Sequence, residues 1–204
     1  MTVFLKRHYV LIGISLFVVL YMFATSKYRA GTITNPDSFR WTKNYLCNLF
    51  SRHAIDGSKN AARPWAFTGM SILCLTLGLF FWQYAGTIQK KGYRNIIRYF
   101  GLATAIFSAM IMIRFHDLFT TLSSITALVA LFCILAHLSA TKQKVLLWIG
   151  VICLVVLYVM NYIYYTHQFL TLLPALQKIS FLLVVIWLLG LHYYHRLLTV
   201  PSHR

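Results

Sequence analysis

The sequence predicts an all-α fold, an integral membrane bundle of six transmembrane helices with one amphipathic outer loop, and three observations carry that prediction. Of the 204 residues, 59% are hydrophobic and only 11% charged, whereas soluble domains carry about a quarter charged residues. A soluble core could not hide that much apolar surface, so the bilayer must act as solvent for most of it. The apolar residues fall in six runs of spanning length, separated by polar links. Finally, 19 Lys and Arg stand against 3 Asp and Glu, and the cations collect in the links, where they orient helices and meet anionic headgroups. No basic stripe lies on a soluble fold, so this charge does not point to nucleic acid. The partners it implies are the lipid bilayer and anionic lipid headgroups.

The whole chain, 1–204, reads as a single transmembrane domain. Its first helix, at about 9–26, follows Lys6 and Arg7. The apolar stretch is long for the core of a signal peptide and "FATSKY" is a poor cleavage site, so the helix is expected to be retained. The second, 64–88, opens on Pro64, whose missing N–H costs nothing in a first turn. Residues 96–138 cannot form one helix, because at 1.5 Å per residue it would measure ~65 Å against a hydrocarbon core of ~30 Å. Two helices, 96–113 and 118–138, must therefore meet at "RFHD", with Asp117 placed to cap the second of them. The fifth covers 145–165 and the sixth 173–195.

The outer loop, 27–63, divides in two. Phe39, Trp41, Tyr45, Leu46, Leu49 and Phe50 recur at helical spacing with Arg40, Lys43 and Arg52 between them, which predicts a short amphipathic helix at headgroup level. After it, "HAIDGSKN" carries a D-G turn signal, so Asp56 and Gly57 are expected to reverse the chain.

Cations in the short segments set the orientation. Lys6, Arg7, Lys90, Lys91, Arg94, Arg98, Lys142, Lys144, Arg196 and Arg204 belong to one side, against only Arg114 and Lys178 in the short turns of the other. Both termini are therefore expected in the cytoplasm, in a plasma membrane, with the seven cations of the 27–63 loop outside. The four cysteines (Cys47, Cys74, Cys133, Cys153) show neither a CxxC nor metal spacing. Three lie in apolar runs, where Cys behaves as a small hydrophobe. Only Cys47 falls in a polar segment.

On this topology Asp37, Asp56 and Asp117 share the outer face with His53, Asn60, Arg63, Arg114, His116 and His167. Ionisable groups at a membrane boundary are candidates for function. In one reading Arg63 and Arg114, with Asn60 and His167, hold the phosphate or carboxylate of a lipid or other anionic amphiphile that the protein binds or remodels. In a second, His116, Asp117, His53 and Asp56 act as acids and bases of a membrane-embedded hydrolase. HExxH and similar spacings are lacking, so no metal is assigned, and no cofactor is named. A plainer alternative has Arg114 paired with Asp117 or Asp56 to pin loops together, and Asp56 serving only its turn. A small transporter is a third class, but helices two, four and five lack internal charge and no inverted repeat is visible. On the other side, "HYYHR" places His192 and His195 on one helix face, where such side chains usually snorkel toward water.

Two stretches, "NYLCNLFSRHAIDGSKNAARPWAFTGM" and "FHDLFTTLSS", carry a resemblance. The layout resembles the six-helix membrane proteins of the DUF998 and Frag1/DRAM-like families. In those, an Asn/Ser/Leu-rich first outer loop leads into helix two, and a histidine lies in the turn between helices three and four. His116 stands at the matching histidine. Where those families place a Ser-Asp pair in the loop, this chain has Cys47 and Asn48. The resemblance implies membrane residence and a lipid-linked role, and no particular reaction.

The orientation is open to a direct check. In intact cells, an impermeant thiol reagent should label Cys introduced by Ser58→Cys, whereas Ser139→Cys should need permeabilisation. The reverse pattern would invert the topology.

Overall fold

The computed structural model describes residues 2–30, 37–113 and 115–199. These form six long helices: α1 (Thr2–Lys27), α2 (Arg63–Gly86), α3 (Lys91–Met110), α4 (His116–Ala140), α5 (Lys144–Thr166) and α6 (Leu173–Thr199). Two single 3-10 turns, Leu46–Phe50 and Leu170–Leu172, complete the order. Among the described residues strand pairing is limited to two isolated bridges, Arg29 with Ser38 and His53 with Lys59.

Five helical segments are long and apolar enough to cross a membrane: Arg7–Lys27, Arg63–Gly86, His116–Ala140, Lys144–Thr166 and Leu170–Tyr194. The chain is thus a multi-pass membrane protein. Side chains such as Leu75, Val145, Trp148 and Tyr158 are exposed on these helices, as lipid-facing residues would be. The helix that falls short of this measure is α3, because Lys91, Arg94 and Arg98 occupy its first turns. Arg98 lays its guanidinium over the Trp82 ring at 4.5 Å, a contact that settles a cation beside apolar surface.

Helix ends depart from expectation chiefly around α3 and α4. The third helix begins at Lys91 rather than 96 and stops at Met110, since a cationic first turn can stay helical at a wet boundary. The next begins at His116, after Phe115 in the left-handed region (φ 68). Asp117 therefore sits inside the first turn and makes no cap bond. There its charge complements the positive end of the helix dipole, and its carboxylate is free for other partners. Arg114, its partner or that of Asp56 in the plainer alternative, lies outside the described residues.

Consecutive helices pack side by side in chain order, and α6 returns to α1, so the bundle closes as a ring. Lipid gives helices no hydrophobic reason to associate, so close packing must supply the attraction. Glycines provide it. Gly13 lies against Thr76, and Gly101 against Phe81. A Cβ on Gly150 would stand 2.6 Å from Leu135 Cδ2 and 2.8 Å from the Trp187 ring. Trp187 crosses the same seam, its indole N–H donating to the Leu146 carbonyl at 2.7 Å. At the α1–α6 closure Phe17 stacks on Phe181 with centroids 5.5 Å apart. Farther from the loop, a ring nitrogen of His192 pairs with the Arg7 carbonyl at 3.0 Å and His8 with the Tyr193 hydroxyl at 2.9 Å.

These seams predict a contrast between two glycines. Gly150→Val should destabilise the detergent-purified protein by about 1–3 kcal/mol, because a packed seam must part to admit it. Gly86→Ala, at an open helix end with nothing within 4 Å of the added Cβ, should be neutral or stabilising by up to about 1 kcal/mol. Equal thermal melting of the two variants would refute the close-packed seam.

Candidate functional site

The loop between α1 and α2 covers the end of the bundle where α1, α3 and α5 finish and α2, α4 and α6 begin. Its apolar residues do not form the continuous amphipathic helix expected of them. Phe39, Leu46, Leu49 and Phe50 are buried, Trp41 is exposed, and only Leu46–Phe50 is helical. The cause is tertiary competition for the backbone. The Asn44 side-chain oxygen accepts the Arg40 N–H at 2.7 Å. From α6, Gln177 Oε1 accepts the Leu46 N–H at 2.9 Å, and Lys178 Nζ donates to the Asn44 carbonyl at 2.7 Å. These bonds use groups that a helix through 44–46 would need for itself.

Asn60 and Arg63 hold this fold from the α2 side. Buried Asn60 donates Nδ2 to the carbonyls of Leu49 (3.1 Å) and Ser51 (2.9 Å), and its Oδ1 accepts the Ala62 N–H at 3.0 Å. Arg63 Nε donates to the Phe50 carbonyl at 3.0 Å while its guanidinium covers the Phe67 ring at 4.9 Å. Asp56 closes the turn before them. Its carboxylate accepts the Ser58 hydroxyl (2.6 Å) and N–H (2.9 Å), and Gly57 supplies the left-handed backbone at φ 82. Both bonds hold the Asp56 carboxyl below the ordinary carboxylate range, the hydroxyl foremost, with Arg29 adding a smaller pull in the same direction. His53 is exposed and paired through its backbone with Lys59.

Two clefts flank this turn. One, of about 280 Å³, is lined by Lys27, Arg29, Ser58, Lys59 and Asn60 among others. The second, wider and about 760 Å³, is lined by Arg52, His53, Lys59, Arg63 and Phe67 among others. Lys59 belongs to both. Asp37, the one acid on the other arm of the loop, is already ion-paired with Arg40.

His116 and Asp117 stand elsewhere, on the α4–α5 flank. His116 Nδ1 lies 3.1 Å from Asp117 Oδ1, which also accepts the Tyr164 hydroxyl at 2.8 Å. A carboxylate only accepts, so the proton on that bond belongs to Nδ1. The other ring nitrogen, Nε2, is buried and makes no hydrogen bond among the described residues. Near this end of the bundle the sulfur of Cys47 receives Gln177 Nε2 at 3.6 Å. Cys47 thus sits where the loop meets α6. Among the described residues no group of His, Cys, Asp or Glu could hold a metal ion.

The expected outer cluster is thereby divided. His53, Asn60 and Arg63 adjoin the cationic clefts, Asp56 builds the turn between them, and His116 with Asp117 joins Tyr164. His167 is exposed in left-handed backbone at the end of α5 and meets neither group. Cys47, Gln177, Tyr164 and Lys178 were not among the candidates. The sequence signals for them are the place of Cys47 in a polar segment and "QK" just inside an apolar run, one turn after Pro174. No family model, curated protein or solved structure matches this chain.

The Asp56 turn gives a pH prediction. A carboxyl whose folded pKa is depressed stabilises the fold above its unfolded pKa, and that support is lost as pH falls through the folded value. Pepsin cleavage within 52–60 should therefore accelerate as the pH drops below the ordinary carboxylate range. Asp56→Asn should cleave faster than wild type above that range, and the difference should close below it. A constant ratio across pH would remove Asp56 from the turn's support.

Proposed function

We propose that this protein binds or remodels anionic lipid at the loop-bearing end of the bundle, and that the cationic clefts receive the headgroup. In this reading α3 is a sixth span, both termini are cytoplasmic and the loop faces outward across a plasma membrane. The cation-rich links at the opposite end support that orientation.

One observation carries the reading. Lys27, Arg29, Arg52, Lys59 and Arg63 ring two adjoining clefts, and the acid among them, Asp56, is occupied by Ser58. Cations so gathered repel one another, and an anion relieves that repulsion. Arginine offers a planar fork suited to phosphate oxygens, and lysine a mobile point charge. The clefts also lie at the right depth. Trp65 and Phe23, in edge contact at 4.6 Å and both exposed, mark the interfacial level where aromatic rings settle. Arg63 over Phe67 provides an apolar floor beneath the charge. A headgroup in the clefts would leave its acyl chains beside α1 and α2. The lipid-linked role implied by the family resemblance agrees with this reading and adds no residue to it.

The test is native mass spectrometry of detergent-solubilised protein with phosphatidylglycerol against phosphatidylcholine. Phosphatidylglycerol adducts should dominate. Each cation near an anionic surface contributes about 1 kcal/mol, so Lys27→Gln with Lys59→Gln should weaken binding about 30-fold. Equal retention of the two lipids, or no effect of the double change, would sink the proposal.

A further inference from the structure

We propose that the groove between α2 and α3, at the end of the bundle opposite the loop, holds an anionic phospholipid, with its phosphate on Arg98 and an acyl chain laid along the two helices. The site is separate from the cationic clefts and needs no lipid bound there.

Charge makes the first argument. The chain has 3 acidic side chains, Asp37, Asp56 and Asp117, which belong to the loop or to the first turn of α4, at the loop-bearing end. No acidic side chain therefore stands at the opposite end, where α3 opens with Lys91, Arg94 and Arg98. Steps of three and four residues put these cations on one helical face. The positive pole of the α3 dipole lies under the same turns, so no acidic side chain offsets this potential. At 1.5 Å per residue, Arg98 stands about 10 Å farther along α3 than Lys91. The cations are thus graded from the water toward the lipid interior.

Geometry then selects Arg98. Its guanidinium covers the Trp82 ring at 4.5 Å, and its Nε is buried without a hydrogen-bond partner among the described residues. The planar fork of a guanidinium suits phosphate oxygens. Trp82 is 50% exposed, which sets the pair at the lipid boundary rather than in the core. One turn deeper, a Cβ on Gly78 would lie 3.7 Å from Leu102 Cδ2, so the same two helical faces continue side by side into the bilayer. Along their edge Leu75 and Leu79 of α2 and Tyr99 and Ile106 of α3 are exposed. They give an acyl chain an apolar track that leads away from Arg98.

The field also chooses the headgroup. A choline would bring a further cation beside Lys91 and Arg94, whereas a glycerol headgroup leaves the phosphate charge uncompensated for them. Such a lipid would neutralise the turns that set α3 apart from the five more apolar segments.

The probe is phosphatidylglycerol carrying a diazirine in its acyl chain, in nanodiscs that hold the protein, against the matching phosphatidylcholine. Peptide mass spectrometry locates the cross-links after irradiation. Phosphatidylglycerol should label residues 75–82 and 99–106 at least about 10-fold more than phosphatidylcholine, since each cation near an anionic surface contributes about 5-fold. Arg98→Gln should lower that ratio about 5-fold, and Lys27→Gln with Lys59→Gln should leave it unchanged. Equal labelling of these residues by the two lipids in wild type, which needs no variant to observe, would overturn the proposal. So would an unchanged ratio in Arg98→Gln, or a ratio that falls in the Lys27 and Lys59 double variant. Displacement of the label by millimolar inorganic phosphate would overturn it too, as the mark of a site for the free anion.

Discussion

Two consecutive side chains of α6, Gln177 and Lys178, hold the outer loop to the bundle, and the loop-bearing end is arranged around them. Each takes a backbone group of the 44–46 segment at hydrogen-bond distance. The alternative for those groups near lipid is to go unpaired, and a buried polar group without a partner costs about 1–3 kcal/mol. That preference is strong enough to override the helical spacing of the loop's apolar residues. It leaves a single 3-10 turn, whose two flanks face different helices. Phe50 meets Arg63 on the α2 side, while Cys47 meets Gln177 on the side of α6. The cationic clefts and the thiol are thus products of one docking event, seen from opposite faces of the same turn.

Asn60 completes that arrangement from the far side. With its amide shared between the carbonyls of Leu49 and Ser51 and the Ala62 N–H, it acts as a small piece of secondary structure where the chain has none. Sequence reading set Asn60 and Arg63 among ligand contacts because they were polar and outward. Their bonds show that both also carry the loop's backbone, and Arg63 turns only its guanidinium face to the cleft.

What was legible in the sequence followed from length and hydropathy. The six runs, the break near residue 115 and the D-G reversal at Asp56 each rest on local chemistry that neighbours cannot override. The start of α3 was not legible, because hydropathy drops at Lys91, Arg94 and Arg98 although the backbone stays helical there. Nor was the Asp117 pairing, since a capping residue and a residue two positions into the first turn look alike in sequence. The pairings of Cys47 with Gln177 and of Asp117 with Tyr164 were out of reach for a different reason. Their partners come from separate elements, and only the closed ring of helices sets them side by side. The cysteine's one distinguishing mark was that it lay in a polar segment.

Ring closure also fixes an order of events during synthesis. The loop leaves the ribosome long before α6, and the Asn44–Lys178 bond joins residues 134 apart in the chain. At about 5–20 residues per second, translation of the intervening stretch takes roughly 7–27 s. Throughout that interval the loop lacks α6 to dock on, and its 44–46 backbone must be served by water. The amphipathic spacing that the finished protein overrules then has a use of its own, since a nascent loop can lie helical on the membrane until the last span arrives. Any chain cut short before residue 177 would remain in that provisional state, inserted yet without the thiol's partner. Quality control could tell such a chain from the finished protein by its undocked loop.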